Sequence, residues 1–210
     1  PGGKPVVTAD ITATVNGKAL KGYPNEKGNF SFRMPQAQKH RLKVSDIGRE
    51  GIQLELKAGG KPASVTLSAD SAIAYDIKDE AGVSIPCKAQ FNGVGDTKSP
   101  NLGPNNRAHG CLDQYHSEKG RFRVAVPPGK YRVVVTHGME YSHIEKVVDV
   151  AAGGEGKLAL LRKRLVDTKG WVSTDYHHHS TPSGANTCGA ADRVINMAAE
   201  HLEFGPTTEH

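Results

Sequence analysis

The sequence predicts a multidomain chain in which all-β sandwich modules are followed by a β-α-β unit. Short alternating or β-branched segments, separated by turn residues, recur through about the first 165 residues. Residues 166–210 differ, because a segment with apolar residues at helical spacing lies between two strand-like segments. These patterns divide the chain into an N-terminal β module (1–67), a second β-sandwich (68–165) and a terminal piece (166–210).

Composition excludes two broad classes of function. The 210 residues include 24 Gly and 12 Pro, and the mean hydropathy is −0.49. No window approaches the ~18 uncharged apolar residues that a membrane-spanning helix needs, so we expect no membrane insertion. The formal net charge of +5 is mild, the basic residues are scattered, and aromatic residues make up 6% of the chain. Nucleic-acid binding is therefore not expected.

Residues 1–67 show strand signals and no chemical motif. The β-branched run 11–15 leads into Asn16-Gly17, a strong hairpin signal, and residues 52–56 alternate ahead of Gly59-Gly60. Residues 30–32 and 65–67 also have the pattern of short strands. His40 stands alone, as a surface histidine of a β module usually does, so we assign this module no chemistry.

Residues 68–165 repeat this style, with strands predicted at 74–77, 85–91, 120–126 and 131–135. The motif G-x-F-x-V at 120–124, followed by P-P-G-x-Y-x-V at 127–133, resembles the carboxypeptidase-regulatory-like (transthyretin-like) β-sandwich. That resemblance implies a structural or binding accessory domain.

A polar excursion at 92–120 interrupts this module. It carries His109, Cys111 and His116, for which a loop with incidental histidines is the favoured interpretation and a metal site the alternative. Cys87 and Cys111 could pair and leave Cys188 free, but nothing in the spacing requires a disulfide.

The terminal piece predicts a strand, a helix and a second strand. Residues 171–176 have a strand pattern and run directly into three histidines. Between 190 and 202, apolar residues at offsets 0, +3, +4 and +8 form one face of a helix, which Asn186 or Thr187 could cap. Residues 203–208 then predict a strand parallel to the first.

The histidines at the ends of these strands predict a metal centre. Side chains alternate along a strand, so Asp175, His177 and His179 share one face while Tyr176 and His178 point to the other. Because the carboxyl ends of parallel strands meet at one rim, Glu209 and His210 should join them. The alternative is that these histidines are satisfied by hydrogen bonds at a sheet end.

Two motifs here resemble the PHP (polymerase and histidinol phosphatase) superfamily. Residues 175–180 resemble its D-L-H-x-H-[ST] motif and residues 208–210 its T-D-H motif. Gly170-Trp171 and the preceding β-sandwich suggest the CehA/McbA-type metallohydrolases. The resemblance implies a distorted (β/α)7 barrel, of which 166–210 would be the first β-α-β unit, with one to three metal ions.

The same resemblance implies roles for individual residues. His177 and His179 would be first-site metal ligands and His210 a ligand of a neighbouring site. Glu209, where the family has Asp, and Asp175, an orienting carboxylate, are the candidate catalytic residues. The loop 183–186 lacks the Asp or His that the family often has there, which puts a complete third metal site in doubt.

These residues predict part of a metal-dependent hydrolase. Imidazole and carboxylate ligands suit Zn, Mn or Fe, and such an ion can activate water toward a phosphoester, amide or carbamate-type ester of a small-molecule substrate. The family's remaining ligands lie downstream of the matching motifs. We therefore expect the rest of the barrel to come from the same precursor, either as downstream sequence or as a second chain. The alternative is a non-catalytic β-sandwich that binds carbohydrate or protein and carries a vestigial metal motif.

The sequence does not determine the cellular compartment of the protein. The chain opens at Pro1 with neither an initiator Met nor a leader, which is consistent with a removed signal peptide or with a piece of a longer protein. The expectation leans toward a periplasmic or secreted location.

Overall fold

The computed structural model describes residues 4–35, 39–49, 51–57, 59–60, 62–68 and 70–210. The chain divides into two compact units, Pro1–Asp70 and Ser71–His210. The described residues form an all-β fold with three sheets and one short α-helix. Among the described residues, no helix is long and apolar enough to cross a bilayer.

The first unit contains one antiparallel sheet with strand order β2-β1-β3-β4. Its strands are β1 (Asp10–Val15), β2 (Lys18–Gly22), β3 (Lys39–Ser45) and β4 (Ile52–Lys57). Asn16 and Gly17 both have positive φ and close the β1–β2 hairpin, as the Asn-Gly signal predicts. Residues 30–32 and 65–67 lie outside the strands, although Phe30, Phe32, Val65 and Leu67 pack against the core.

His40 belongs to the interior of this unit. Alternation along β3 turns His40, Leu42 and Val44 to the buried face. The His40 ring is 2% exposed, and its Nε2 lies 3.0 Å from the carbonyl oxygen of Pro35. The expected surface position is therefore wrong, since the ring is buried with a hydrogen-bond partner.

The second unit is a β-sandwich built from two sheets. Their strands are β5 (Ala72–Lys78), β6 (Cys87–Gly93), β7 (Gln114–Ser117), β8 (Arg121–Ala125), β9 (Gly129–Thr136), β10 (Ile144–Val150) and β11 (Glu155–Leu161). One sheet has the order β10-β9-β6-β7 and the other β11-β5-β8, with β11 parallel to β5. The excursion at 92–120 thus contributes β7 as an edge strand.

Alternating side chains from both sheets form one core. Ile73, Tyr75 and Ile77 of β5 face the buried side chains of β6 and β9. The Tyr75 and Phe122 rings stack with centroids 4.5 Å apart. Burial of this apolar surface is the main stabilising contribution to the sandwich.

The predicted opening of a (β/α)7 barrel is wrong. Neither 171–176 nor 203–208 forms a strand, and only isolated parallel bridges join Thr174 to Phe204 and His178 to Thr207. The bridges are four residues apart on one side and three on the other, so no regular ladder connects them. Pro206 has no N–H to donate to one. The predicted fold class, with its β-α-β unit, gives way to an all-β fold carrying one helix.

Helix α1 (Ala190–Ala199) packs on β7 and β6 of the sandwich. The helix ends three residues earlier than predicted, and its N-cap is Gly189 with no side-chain cap. The loop residue Gly138 has φ +70°, and a Cβ there would overlap the carbonyl oxygen of Glu200, just beyond the helix. Lys88 of β6 forms an ion pair with the Glu200 carboxylate. These contacts fix the carboxyl end of α1 against the sandwich.

A buried histidine also lies at this contact. His137 is 3% exposed, and its Nδ1 lies 3.3 Å from the carbonyl oxygen of Ala199. The His201 ring lies beside it, with centroids 4.9 Å apart. Burial, followed by the nearby His201, lowers the pKa of His137 to about 4. The ring is therefore neutral in the folded protein at neutral pH.

Gly138→Ala is expected to destabilise the second unit, because its Cβ would meet the Glu200 carbonyl in addition to straining the backbone. Gly82→Ala is the matched control, since Gly82 has φ +79° with open space at its Cβ position. Urea unfolding should show about 1 kcal/mol lost in the control and at least about 2 kcal/mol in Gly138→Ala. Equal losses would contradict the close docking of Glu200.

Acidification is expected to destabilise the fold through His137. Its pKa is about 4 in the folded state and about 6.5 in an unfolded chain, so the unfolded state binds more protons between these values. Stability should therefore fall as the pH drops from about 6.5 to about 4, by up to about 3 kcal/mol. Urea unfolding across this range should show a smaller loss in His137→Phe than in the parent or in the control His143→Gln, which alters an exposed imidazole.

Candidate metal centre

The histidine run 177–179 lies beside the C-terminal residues. The backbone N–H and side-chain Oγ1 of Thr208 both donate to the carbonyl oxygen of His178, at 3.2 and 2.8 Å. His178 is buried, whereas His177 is exposed and His179 half-buried. Within 177–179 the predicted alternation is present without a continuous strand, whereas Tyr176, predicted on the face of His178, is exposed.

Three imidazoles cluster at this point. The Nε2 atoms of His177 and His179 are 3.0 Å apart, and the ring centroids of His179 and His210 are 4.7 Å apart. Two nitrogen ligands of a tetrahedral zinc ion, each bonded at about 2.0–2.1 Å, would be about 3.3 Å apart. The His177 and His179 nitrogens therefore have nearly the separation of two ligands that share a cation.

A hydrogen-bond chain orients His179. Its Nδ1 lies 2.8 Å from Oγ of Ser183, and that hydroxyl donates to Oε2 of Glu209. Since the hydroxyl hydrogen goes to the carboxylate, Nδ1 of His179 carries the proton that it donates to Ser183. Nε2 then keeps its lone pair, which is the tautomer a metal ligand needs.

The Glu209 carboxylate accepts three hydrogen bonds from Ser180 and Ser183. Its Oε1 accepts hydrogen bonds from the backbone N–H of Ser180 at 2.8 Å and from the Ser180 hydroxyl at 2.5 Å. These bonds, together with the one from Ser183, lower the pKa of Glu209 to about 2. The group is therefore a carboxylate at every physiological pH and a weak proton acceptor.

Asp175 supports the backbone. Its Oδ1 accepts a hydrogen bond of 3.1 Å from the backbone N–H of His177. This is an Asx turn, which sets the path of the chain into the histidine run. Within the described chain, neither the Asp175 nor the Glu209 carboxylate hydrogen-bonds to the imidazole ring of His177 or His210.

No group of three or more His, Cys, Asp or Glu side chains among the described residues has the arrangement of a metal site as it stands. The alternative trio of the excursion does not converge either, because His109 forms a contact of 2.8 Å with Glu118 and stacks on Tyr115. Cys87, Cys111 and Cys188 are all free, so no disulfide joins Cys87 to Cys111.

Sequence reasoning missed two kinds of residue. It gave no role to Ser180 or Ser183, yet both donate to the Glu209 carboxylate, and Ser183 also accepts from the backbone N–H of His210 at 3.2 Å. It assigned no role to Arg193, whose Nε donates to the carbonyl oxygen of His179 at 3.1 Å. The spacing Ser-x-x-Ser directly after the histidines was the available signal for the serine pair.

Ser183→Ala is expected to raise the pKa of Glu209, because the carboxylate loses a hydroxyl donor. The value should move from about 2 toward the ordinary value of about 4.3 without reaching it, since Ser180 remains. A pH titration of the Glu209 carboxyl carbon by NMR measures it. Ser173→Ala is the control, as the Ser173 hydroxyl has no hydrogen bond within the described chain. An unchanged pKa in Ser183→Ala would contradict the chain of contacts.

Comparisons with known proteins do not place the chain in a family. No family model and no curated protein matches it. Among solved structures, it is similar to the Bacillus anthracis TIE protein, with 12% identity and a TM-score of 0.30. That match covers 82% of this chain and 34% of the other, so the chain spans about a third of the TIE protein's length. A similarity at this level supports no conclusion about fold or function.

Proposed function

We propose that residues 175–210 bind a divalent transition metal, and that the protein takes part in metal-dependent hydrolysis of a small molecule. The observation that supports this most strongly is the 3.0 Å separation of the Nε2 atoms of His177 and His179, with the His210 ring adjacent. Hydrolysis of a phosphoester, amide or carbamate-type ester is the chemistry proposed.

His177 and His179 would hold the ion through Nε2, and His210 is the third proposed ligand. Three imidazoles suit Zn, Fe or Mn, which makes the donor set chemically appropriate although the side chains need to rearrange to converge. Such an ion, when bound, supplies Lewis acidity and activation of water. One to three ions are proposed, with further ligands from water, substrate or a partner segment.

Glu209 is proposed as a positioning residue. With a pKa of about 2, its carboxylate is too weak a base to accept a proton efficiently near neutral pH. Its negative charge and its hydrogen bonds to Ser180 and Ser183 keep Nδ1 of His179 protonated and the ring fixed. Asp175 is also proposed as a positioning residue, because its carboxylate accepts from the backbone N–H of His177 and sets the path of the chain there.

The resemblance of 175–180 and 208–210 to the PHP motifs supports hydrolysis over simple metal storage. The proposal uses those residues alone and not a barrel. The partner it implies is a polypeptide segment that completes the coordination, with the small-molecule substrate between them.

Metal binding tests the proposal directly. Metal-free protein titrated with Zn²⁺ by calorimetry, and with Co²⁺ by its visible absorption, should bind in the parent and in the control His143→Ala, whose imidazole is exposed and lies in a different loop. His177→Ala combined with His179→Ala should weaken binding at least about 100-fold, since both proposed nitrogen ligands are lost.

Circular dichroism of each variant separates loss of ligands from loss of fold. A double variant that is folded and binds metal like the parent would overturn the proposal. A parent chain that binds no metal would leave the β-sandwich as a non-catalytic binding module.

A further inference from the structure

We propose a second ligand site, for a small oxyanion that also carries an O–H donor, in a cavity between the excursion of the second unit and helix α1. The cavity has a volume of about 230 Å³. It is polar, and the side chains that decide its chemistry are Arg107, His116, Asn186, Arg193 and Asn196. It is separate from the proposed metal ligands, none of which lines it.

The cavity carries positive charge. Arg107 and Arg193 line it, and no carboxylate of the described chain does. Two carboxylates lie nearby: Asp192, whose Oδ1 accepts a 2.8 Å hydrogen bond from the backbone N–H of Ala108, and Glu200, which acts electrostatically on His116. Arg193 uses only Nε, toward His179, so its two terminal nitrogens have no protein partner within the described residues. An anion is the ligand that this guanidinium would bind.

Two residues that line the cavity each carry a buried polar atom without a partner. Oδ1 of Asn196 and Nδ1 of His116 are inaccessible and make no hydrogen bond among the described residues. Asn196 is oriented with its Nδ2 toward Sγ of Cys188, 3.9 Å away, so its oxygen is the atom left over. Burial, followed by the nearby Lys88, lowers the pKa of His116, which favours the neutral ring. A buried amide oxygen of this kind needs a donor.

The walls are preformed by hydrogen bonds on both sides. Arg107 donates to the carbonyl oxygens of Gly110 and Leu102, at 2.8 and 2.7 Å, which folds the excursion around it. Asn106 donates to the carbonyl oxygen of Thr187 at 3.1 Å and joins the excursion to the loop before α1. A ligand would therefore enter a cavity whose shape does not have to be built.

The ligand must accept from arginine and donate to the amide oxygen of Asn196. Phosphate meets both requirements, because at neutral pH it has charged oxygens and at least one O–H. Phosphomonoesters at their singly protonated stage and hydroxycarboxylates such as lactate share this chemistry. Sulfate and acetate are the matched anions that lack the O–H at neutral pH, and leaving a buried acceptor unpaired costs affinity.

NMR titration of the metal-free chain at neutral pH tests the proposal. We expect saturable shifts at Arg193, Asn196 and His116 with phosphate or with lactate, with a Kd of about 0.1–10 mM. Sulfate and acetate should each bind at least about tenfold more weakly than their O–H partner. The phosphate and lactate arms distinguish a phosphate ligand from a carboxylate ligand.

Two variants locate the site. Arg193→Gln and Asn196→Ala should each weaken binding about tenfold or more, whereas Arg132→Gln, which removes an exposed arginine paired with Glu145, should not. Arg193→Gln could disturb the fold near His179, and Asn196→Ala, which leaves that contact intact, keeps the test decisive. Absence of saturable binding, equal affinity for sulfate and phosphate, or unchanged binding in Asn196→Ala would overturn the proposal. Because no metal is present, failure here leaves the proposed metal site untouched.

Discussion

The candidate site depends on the hydrogen bonds between the Glu209 carboxylate and the two serines of the turn at 180–183. No regular ladder joins the histidine run to the C-terminal residues, so these side-chain bonds and the contacts of Thr208 with His178 hold the two segments together. Charge-assisted hydrogen bonds are stronger than neutral ones. A carboxylate that stays ionised can thus replace the strand pairing that is missing here.

The sandwich supplies the rigid support for this arrangement. Its sheets form one core, and α1 lies against β6 and β7 with its carboxyl end fixed at Gly138, His137 and Lys88. Arg193, on that helix, then reaches the carbonyl oxygen of His179. The position of the histidines is therefore set by a chain of contacts that begins in the β-sandwich.

Local sequence patterns predicted what depends on neighbouring residues. The Asn16-Gly17 turn, the alternation in β4, and the burial of His178 between two more exposed histidines follow from backbone geometry alone. The parallel pairing of 171–176 with 203–208 depends on register and on a neighbouring strand, which the sequence pattern does not specify. The serines of the turn were missed because their partner, Glu209, lies more than 25 residues away.

Arg193 connects two regions that are otherwise distinct. One nitrogen of its guanidinium donates to the backbone carbonyl of His179, and the same side chain lines the cavity. Any molecule that draws this planar group toward itself must lengthen or bend its bond to His179. By thermodynamic linkage, an ion held by that imidazole and an occupant of the cavity would then alter each other's affinity by the same factor. The Arg193 side chain would thus couple binding at the two sites.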